Sequence, residues 1–261
     1  MTALLVSLCA VLGLAIGSFL NVVVWRVPRG ESVVSPPSAC PGCGTPIRPR
    51  DNLPVLGWVL LRGRCRDCAE PISVRYPLVE AATAALFVVM ALRFGLDAAL
   101  PAYLYLAAVG LALALIDVDV KRLPDVIVLP SYVVLGVLLG AAALAGSDSG
   151  ELVRAVLGGA AMYAGYFALV LAYPAGMGFG DVKLAGVLGA ATAWVGWGAW
   201  AVGLFAGFLL GGLWGLALLA TRRGGRKSKV PFGPFMLAGA LLGVLAGQDL
   251  AEGYLSLTTG G

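Results

Sequence analysis

Two groups of side chains in this sequence have the type and spacing to do chemistry. The first is a set of aspartates in apolar surroundings. Asp181 closes the stretch Gly176-Met177-Gly178-Phe179-Gly180-Asp181, and Asp117 follows Ala114-Leu115-Ile116, with Asp119 and Asp125 close behind it. The glycines give the backbone access to positive φ and let other backbone approach closely. An ionisable residue beside a long apolar segment is costly and therefore marks a candidate site. Two carboxylates held close together in poorly hydrated surroundings keep one proton between them. One can then take a proton from water while the other polarises a carbonyl, which is the acid–base chemistry of peptide hydrolysis. The plainer account of Asp181 is a helix N-cap, because Asp after Gly is an ordinary helix start.

The second group is two Cys-x-x-Cys pairs, Cys40 with Cys43 and Cys65 with Cys68, separated by 21 residues. That is the spacing of a four-cysteine zinc ribbon, slightly longer than the commonest range. Gly42 and Gly44 supply the turn of the first pair. Four thiolates leave no open coordination position, so the expected metal is structural Zn2+. Disulfide-linked or redox-active pairs are the competing account, and a cytoplasmic location argues against persistent disulfides. Cys9, alone in an apolar run, reads as a small hydrophobe.

The elements that must position these groups follow from composition. With 60% hydrophobic and 12% charged residues, the chain departs from soluble domains, where about a quarter are charged. The absence of histidine excludes Ser-His-Asp and Cys-His nucleophiles and any His-containing metal site. The expected fold is an all-α polytopic membrane protein with about eight transmembrane helices and a small cytoplasmic zinc-ribbon-like insertion. The apolar segments are Ala3 to Val24, Leu78 to Leu92, Ala98 to Ile116, Val126 to Ala145, Leu152 to Tyr173, Val182 to Trp197, Trp200 to Ala220 and Pro231 to Ala246. The closeness of the segments flanking Gly198 leaves seven or nine open. The first is not a signal peptide, because its arginines, Arg26 and Arg29, follow the apolar run.

Trp25 to Tyr76 is the one substantial polar insertion, with eight arginines and four cysteines. Lys121, Arg122, Lys183 and the run Arg222 to Lys229 fall on its side of the membrane. The other side holds Asp97, Asp148, Glu151, Asp249 and Glu252, with Arg93 and Arg154 as its basic residues. The positive-inside rule then puts the insertion in the cytoplasm and both termini outside. The run at Arg222 reads as a topology determinant or anionic-lipid contact, and no nucleic-acid partner is expected.

Among the aspartates, Asp117 adjoins the apolar run and lies deepest. Asp119 is two residues further out, and Asp125 after Pro124 reads as the cap of the next helix. Asp117 with Asp181 is the favoured catalytic pair.

In order along the chain, six motifs resemble the type IV prepilin peptidases. They are Gly17-Ser18-Phe19-Leu20-Asn21 through Trp25-Arg26-Val27-Pro28, the double Cys-x-x-Cys loop around Asn52-Leu53-Pro54 and Gly57-Trp58, and Ile72-Ser73-x-Arg75-Tyr76-Pro77-Leu78-Val79-Glu80. Ile116-Asp117 through Asp125, Gly178-Phe179-Gly180-Asp181-Val182-Lys183 and Pro231-Phe232-Gly233-Pro234-Phe235 complete them. The departure is Gly57-Trp58, where Ser-Trp is more usual. The resemblance implies an aspartyl endopeptidase of the Gly-x-Gly-Asp type. Its substrates would be prepilins or pseudopilins, trimmed of a short leader at the cytoplasmic face of the inner membrane. The new N-terminus would then be methylated from S-adenosylmethionine.

The resemblance also implies that Gly178, Gly180, Lys183, Asp119 and Asp125 support the aspartate motifs. The corresponding division is residues 1–25 as the first transmembrane helix, 26–76 as the four-cysteine loop and 77–261 as the peptidase membrane domain. No glycine-rich nucleotide fingerprint after a strand is visible, so methyl transfer rests on the resemblance and the full cysteine loop. Glu80 reads either as the cap of the second span or as a counter-charge for the amine. The competing function is a polytopic ion-coupled transporter with a zinc-ribbon docking module, which internal repeats would favour.

Overall fold

A computed structural model describes residues 1–146, 149–174, 176–221 and 230–259. Asp148 and the run Arg222 to Lys229 lie outside the described residues. The described chain is helical without a strand, its only extended pairing being two isolated bridges in the cysteine insertion. It forms two compact units, Met1–Ala112 and Leu113–Gly261.

In the first unit α1 (Thr2–Arg26) and α3 (Arg75–Phe94) pair antiparallel. Small residues set their register. A Cβ at Gly13 would come within 2.6 Å of the Ala84 Cα, and one at Gly17 within 2.6 Å of the Glu80 Cα. The backbones therefore touch, as in small-xxx-small membrane packing. At the same register Asn21 Nδ2 donates to the Tyr76 carbonyl over 3.2 Å. Between the two helices lie the cysteine insertion and a five-residue helix, α2 (Leu56–Leu60). The unit closes with the start of α4 (Leu100–Val120), where Tyr103 stacks on Phe94.

The second unit contains the end of α4, then α5 (Asp125–Leu144), α6 (Ser149–Ala172), α7 (Phe179–Val195), α8 (Trp197–Ala220) and α9 (Gly233–Leu242). A π-turn over Gly243–Gly247 leads from α9 into α10 (Gln248–Thr259). The core is α7, buried almost throughout from Asp181 to Trp194. Glycines admit its neighbours. Gly158 and Gly159 of α6 lie against Gly189, Ala190 and Ala193 of α7, and Gly186 makes room for the Tyr132 hydroxyl of α5. Gly203 and Gly207 of α8 meet Gly239, Ala240 and Met236 of α9. The far end of α7 is capped by Arg154, whose guanidinium donates to the carbonyls of Ala193 and Trp194. These are among the last carbonyls of the helix, which lack intrahelical donors.

Among the described residues, seven helices are long and apolar enough to cross a membrane. The eighth expected segment is α7, with 17 residues, about the shortest length that spans. It is sheathed by other helices rather than by lipid, so its length need not match the hydrocarbon thickness. The last segment runs to Thr258 rather than Ala246. Gln248 and Asp249 look like a helix end in sequence, but Gln248 Nε2 donates to Glu252 Oε1 one turn on and the helix continues.

Candidate active site and cysteine cluster

α4 ends where Lys121 takes a left-handed conformation, φ 54, its N–H still bonded to the Asp117 carbonyl over 2.8 Å. Pro124, three residues later, opens α5. Asp117 therefore sits in the last turn of α4, 5% exposed. Its Oδ2 accepts the N–H of Gly233, the first residue of α9, over 3.0 Å. Free amides and the positive end of a helix favour a carboxylate there. Pro234 lacks an N–H, which leaves Gly233 to supply one. A Cβ on Gly233 would lie 2.9 Å from the same Oδ2, so only glycine lets the amide come this close.

Asp181 is the third residue of α7 and is 8% exposed. It is not the N-cap. It caps the helix from within, its Oδ2 accepting the N–H of Gly178 over 3.0 Å. A Cβ on Gly180 would meet the Leu123 Cβ at 3.1 Å, and Leu123 Cδ2 lies 3.3 Å from the Cβ position of Gly233. One leucine side chain is thus wedged between the start of α7 and the start of α9. Asp117 and Asp181 are close enough for their charges to interact. Tyr166 of α6, buried between Phe208 and Phe232, also lies within electrostatic range of Asp181. Among the described residues no lysine or arginine forms an ion pair with either aspartate.

The other motif residues divide. Lys183 Nζ donates to both oxygens of Asp125, over 2.7 and 2.8 Å, and lies 5.1 Å above the Phe179 ring. Its carbonyl accepts the Tyr132 hydroxyl over 2.6 Å. Asp125 is the first residue of α5 and makes no capping bond; its carboxylate serves Lys183. Asp119 is exposed, unlike Asp117. The Gly233 amide, Leu123, Tyr166 and Tyr132 were not singled out by sequence. The Gly-Pro pair at 233–234, which leaves one free amide at a helix start, was the readable signal for the first.

In the insertion the four sulfurs of Cys40, Cys43, Cys65 and Cys68 all lie within 4.8 Å of one another. The Cys40 to Cys68 separation is 3.7 Å, against a tetrahedral edge of about 3.8 Å for zinc bound to four thiolates. The two halves have the same backbone bonds. Cys40 N–H donates to the Thr45 carbonyl and Gly44 N–H to the Cys40 carbonyl; Cys65 N–H donates to Glu70 and Ala69 N–H to Cys65. Both fifth residues are left-handed, Gly44 at φ 70 and Ala69 at φ 59. The sequence carries this repeat openly, as Cys-x-x-Cys-x-x-Pro-Ile at Cys40 and again at Cys65.

The halves are held across by Arg66 on Asp51 and by Arg48 on Asp67, both through side-chain hydrogen bonds. The Arg66 guanidinium keeps the Asp51 carboxyl below its ordinary range. The hydroxyl and amide of Thr45 draw the Cys43 thiol down to about 6. Cys68 receives an amide from Glu70 that would lower it. Desolvation and the neighbouring sulfurs of Cys43 and Cys40 nonetheless push it up to about 12. Four thiols this close cannot all ionise without a cation among them, and the cluster fits one.

Glu80 lies five residues inside α3 and so does not cap it. Its Oε2 accepts the Val55 N–H over 2.6 Å, and the Ser18 hydroxyl also bonds it.

Comparison with known proteins agrees along the whole chain. Residues 11–94 match the family model described as Bacterial Peptidase A24 N-terminal domain, and residues 104–216 that of the Type IV leader peptidase family. The chain is 37% identical to a protein of Pseudomonas putida, over 98% of this chain and 95% of that one. It is 36% identical to proteins of Aeromonas hydrophila, covering 96% and 93%, and of Pseudomonas aeruginosa, covering 95% and 93%. All three bear the name prepilin leader peptidase/N-methyltransferase. No solved structure matches the chain.

Proposed function

Because the chain belongs to the type IV leader peptidase family, we propose that Asp117 and Asp181 are the catalytic pair with which it removes the leader from type IV prepilins or pseudopilins. It is a multi-pass protein of the inner membrane, a peptidase that also N-methylates its product. The observation that carries the catalytic assignment is the burial of both carboxylates within range of each other, each with Oδ2 tied to a glycine amide.

In each aspartate the tie leaves Oδ1 to act. One carboxylate takes a proton from water as the water oxygen attacks the scissile carbonyl. The other, protonated, donates a hydrogen bond to the carbonyl oxygen and then a proton to the leaving amine. Lys183, bound to Asp125, supports the first turn of α7 rather than the reacting atoms. Gly178 and Gly180 permit the close approaches on which that turn depends. Asp119 lies outside the pair.

The orientation that fits this reading has both termini outside, with the carboxylates and the cysteine insertion at the cytoplasmic face, as the positive-inside rule places them. Residues 1–25 then act as the first transmembrane helix, 26–76 as the cytoplasmic loop and 77–261 as the peptidase membrane domain. Cys40, Cys43, Cys65 and Cys68 would hold Zn2+ in a structural role. S-adenosylmethionine supplies the methyl group when bound. An ion-coupled transporter is disfavoured by family membership.

The test is cleavage of a prepilin peptide by the reconstituted protein. Asp117→Asn and Asp181→Asn should each abolish it while membrane insertion is retained, and Asp119→Asn should keep most of it. Near-normal cleavage by either of the first two removes that residue from the pair.

A further inference from the structure

One apolar run in the insertion serves neither the cysteine cluster nor the aspartate pair. It is Leu53-Pro54-Val55-Leu56-Gly57-Trp58-Val59-Leu60-Leu61, uncharged, between Arg48 and Arg50 on one side and Arg62 and Arg64 on the other. The pairing of α1 with α3 fixes its depth. Gly17 lies level with Glu80, and Asn21 with Tyr76. Tyr76 and, about 6 Å further out, Trp25 are exposed near those helix ends and bracket the layer where aromatic rings sit among headgroups. Glu80 lies about 6 Å inside Tyr76 along its helix, and Gly17 about 12 Å inside Trp25.

The Val55 N–H nevertheless reaches Glu80. The insertion therefore does not stay outside the aromatic level but turns back past it. At the turn Leu56 N–H donates to the Pro54 carbonyl over 2.6 Å, with Val55 between them at φ 60 and ψ −51. This is a γ-turn with positive φ on a β-branched residue, a conformation that persists only where it is held. From there α2 climbs back, the Trp58 indole donating to the Ile72 carbonyl over 3.0 Å.

Four N–H groups around the turn are paired. Beyond the Val55 and Leu56 bonds, Gly57 N–H donates to Leu53 and Val59 N–H to Val55, as backbone in hydrocarbon must be paired. Its large side chains are not covered by protein: Leu53, Leu56, Val59 and Leu60 all face outward, Leu60 at 74% exposure.

We propose that residues 53–61 are a membrane foot of the insertion, with these four side chains among acyl chains beside α1 and α3. Arg50, Arg62 and Arg64 flank the foot where anionic headgroups would meet them. The occupant is lipid because the exposed leucines lie at a depth where hydrocarbon surrounds α1 and α3, and the flanking charge suits an interfacial element.

The full chain carrying p-benzoylphenylalanine at Leu56 or Leu60, in vesicles of phosphatidylethanolamine and phosphatidylglycerol, should form phospholipid adducts on irradiation. The yield should be several-fold above that of the same probe at Pro41, in the first cysteine turn. Equal yield at Pro41 overturns the foot, and so does transfer of the adduct to a prepilin peptide when one is added. On the unsubstituted chain, a bilayer-soluble carbene should label the peptide 53–61 and spare 38–47. Equal labelling of the two peptides also overturns it.

Discussion

The cysteine insertion and the aspartate pair face one problem, holding a few polar atoms at fixed separation, and meet it by opposite means. Each cysteine turn closes on itself within six residues, through bonds that the second turn repeats. The two aspartates and the amides that hold them are gathered from three helices. Asp181 is tied to its own N-terminal glycine, but Asp117 depends on an amide in α9, far along the chain. A locally built site fails through its own residues. A gathered site can also fail through any helix that delivers a part. The difference predicts which substitutions stay confined to one activity.

The widest separation should come from the reacting groups. Asp117→Asn or Asp181→Asn is expected to lower cleavage by about 10²–10⁴-fold or more with metal content unchanged. Cys65→Ser should do the reverse. Metal bound to the insertion falls toward zero by elemental analysis, methylation of the product falls with it, and cleavage falls much less. Equal loss of both activities in the cysteine variant would make the insertion a scaffold for both and end the contrast.

Next comes the distant tie. Gly233→Ala puts a methyl against Asp117 Oδ2, and a displacement of that size is expected to cost cleavage about 10- to 100-fold in kcat. Thermal stability should change little. Unaltered kcat would show that the α9 amide does not place the carboxylate.

A smaller effect is expected from Lys183→Met. The pair with Asp125 is mostly exposed on the aspartate side, 56% against 19% for the lysine, and pairs open to solvent contribute about 0–1 kcal/mol. Cleavage should fall only a few-fold, measured at saturating peptide. The subtlest case lies within the insertion, where Gly44 and Ala69 hold the same left-handed position. Gly44→Ala should weaken its turn by about 1 kcal/mol and Ala69→Gly should strengthen the other by a fraction of that. Rates of metal loss to a chelator should move in opposite directions.

How much could be read from sequence follows the same division. The cysteine spacing announces the cluster because the bonds that build it are local. The repeat that makes the halves alike was equally legible, in the recurring Pro-Ile after each pair. The apolar runs give the helices and the two aspartates, since a carboxylate beside such a run needs a reason. The partner of Asp117 was only half legible: Gly-Pro at 233–234 marks a helix start with one free amide, but which carboxylate that amide meets is decided by tertiary folding. Lys183 looks in sequence like a companion of Asp181, two positions away, and structure pairs it with Asp125 because successive helical positions face different ways. The Val55 turn was hidden too, because nothing in Pro-Val-Leu calls for positive φ.

The glycine contacts of α7 bear on how a substrate could be admitted. Arg154 fixes one end of that helix to α6, the Trp200 indole fastens α8 to the Gly158 carbonyl of α6, and Gly186 is filled by a tyrosine hydroxyl. Sliding α7 by one turn, about 5.4 Å, would undo its Arg154 cap and drive side chains into the space left for Tyr132. The helix that carries Asp181 is therefore a post and not a piston. A disulfide tether between Gly159→Cys and Ala190→Cys, whose contact is already close, should turn over equally in its oxidised and reduced forms, and an enzyme stalled only when oxidised would show that the post moves. Whatever opens for the substrate does so around a stationary α7.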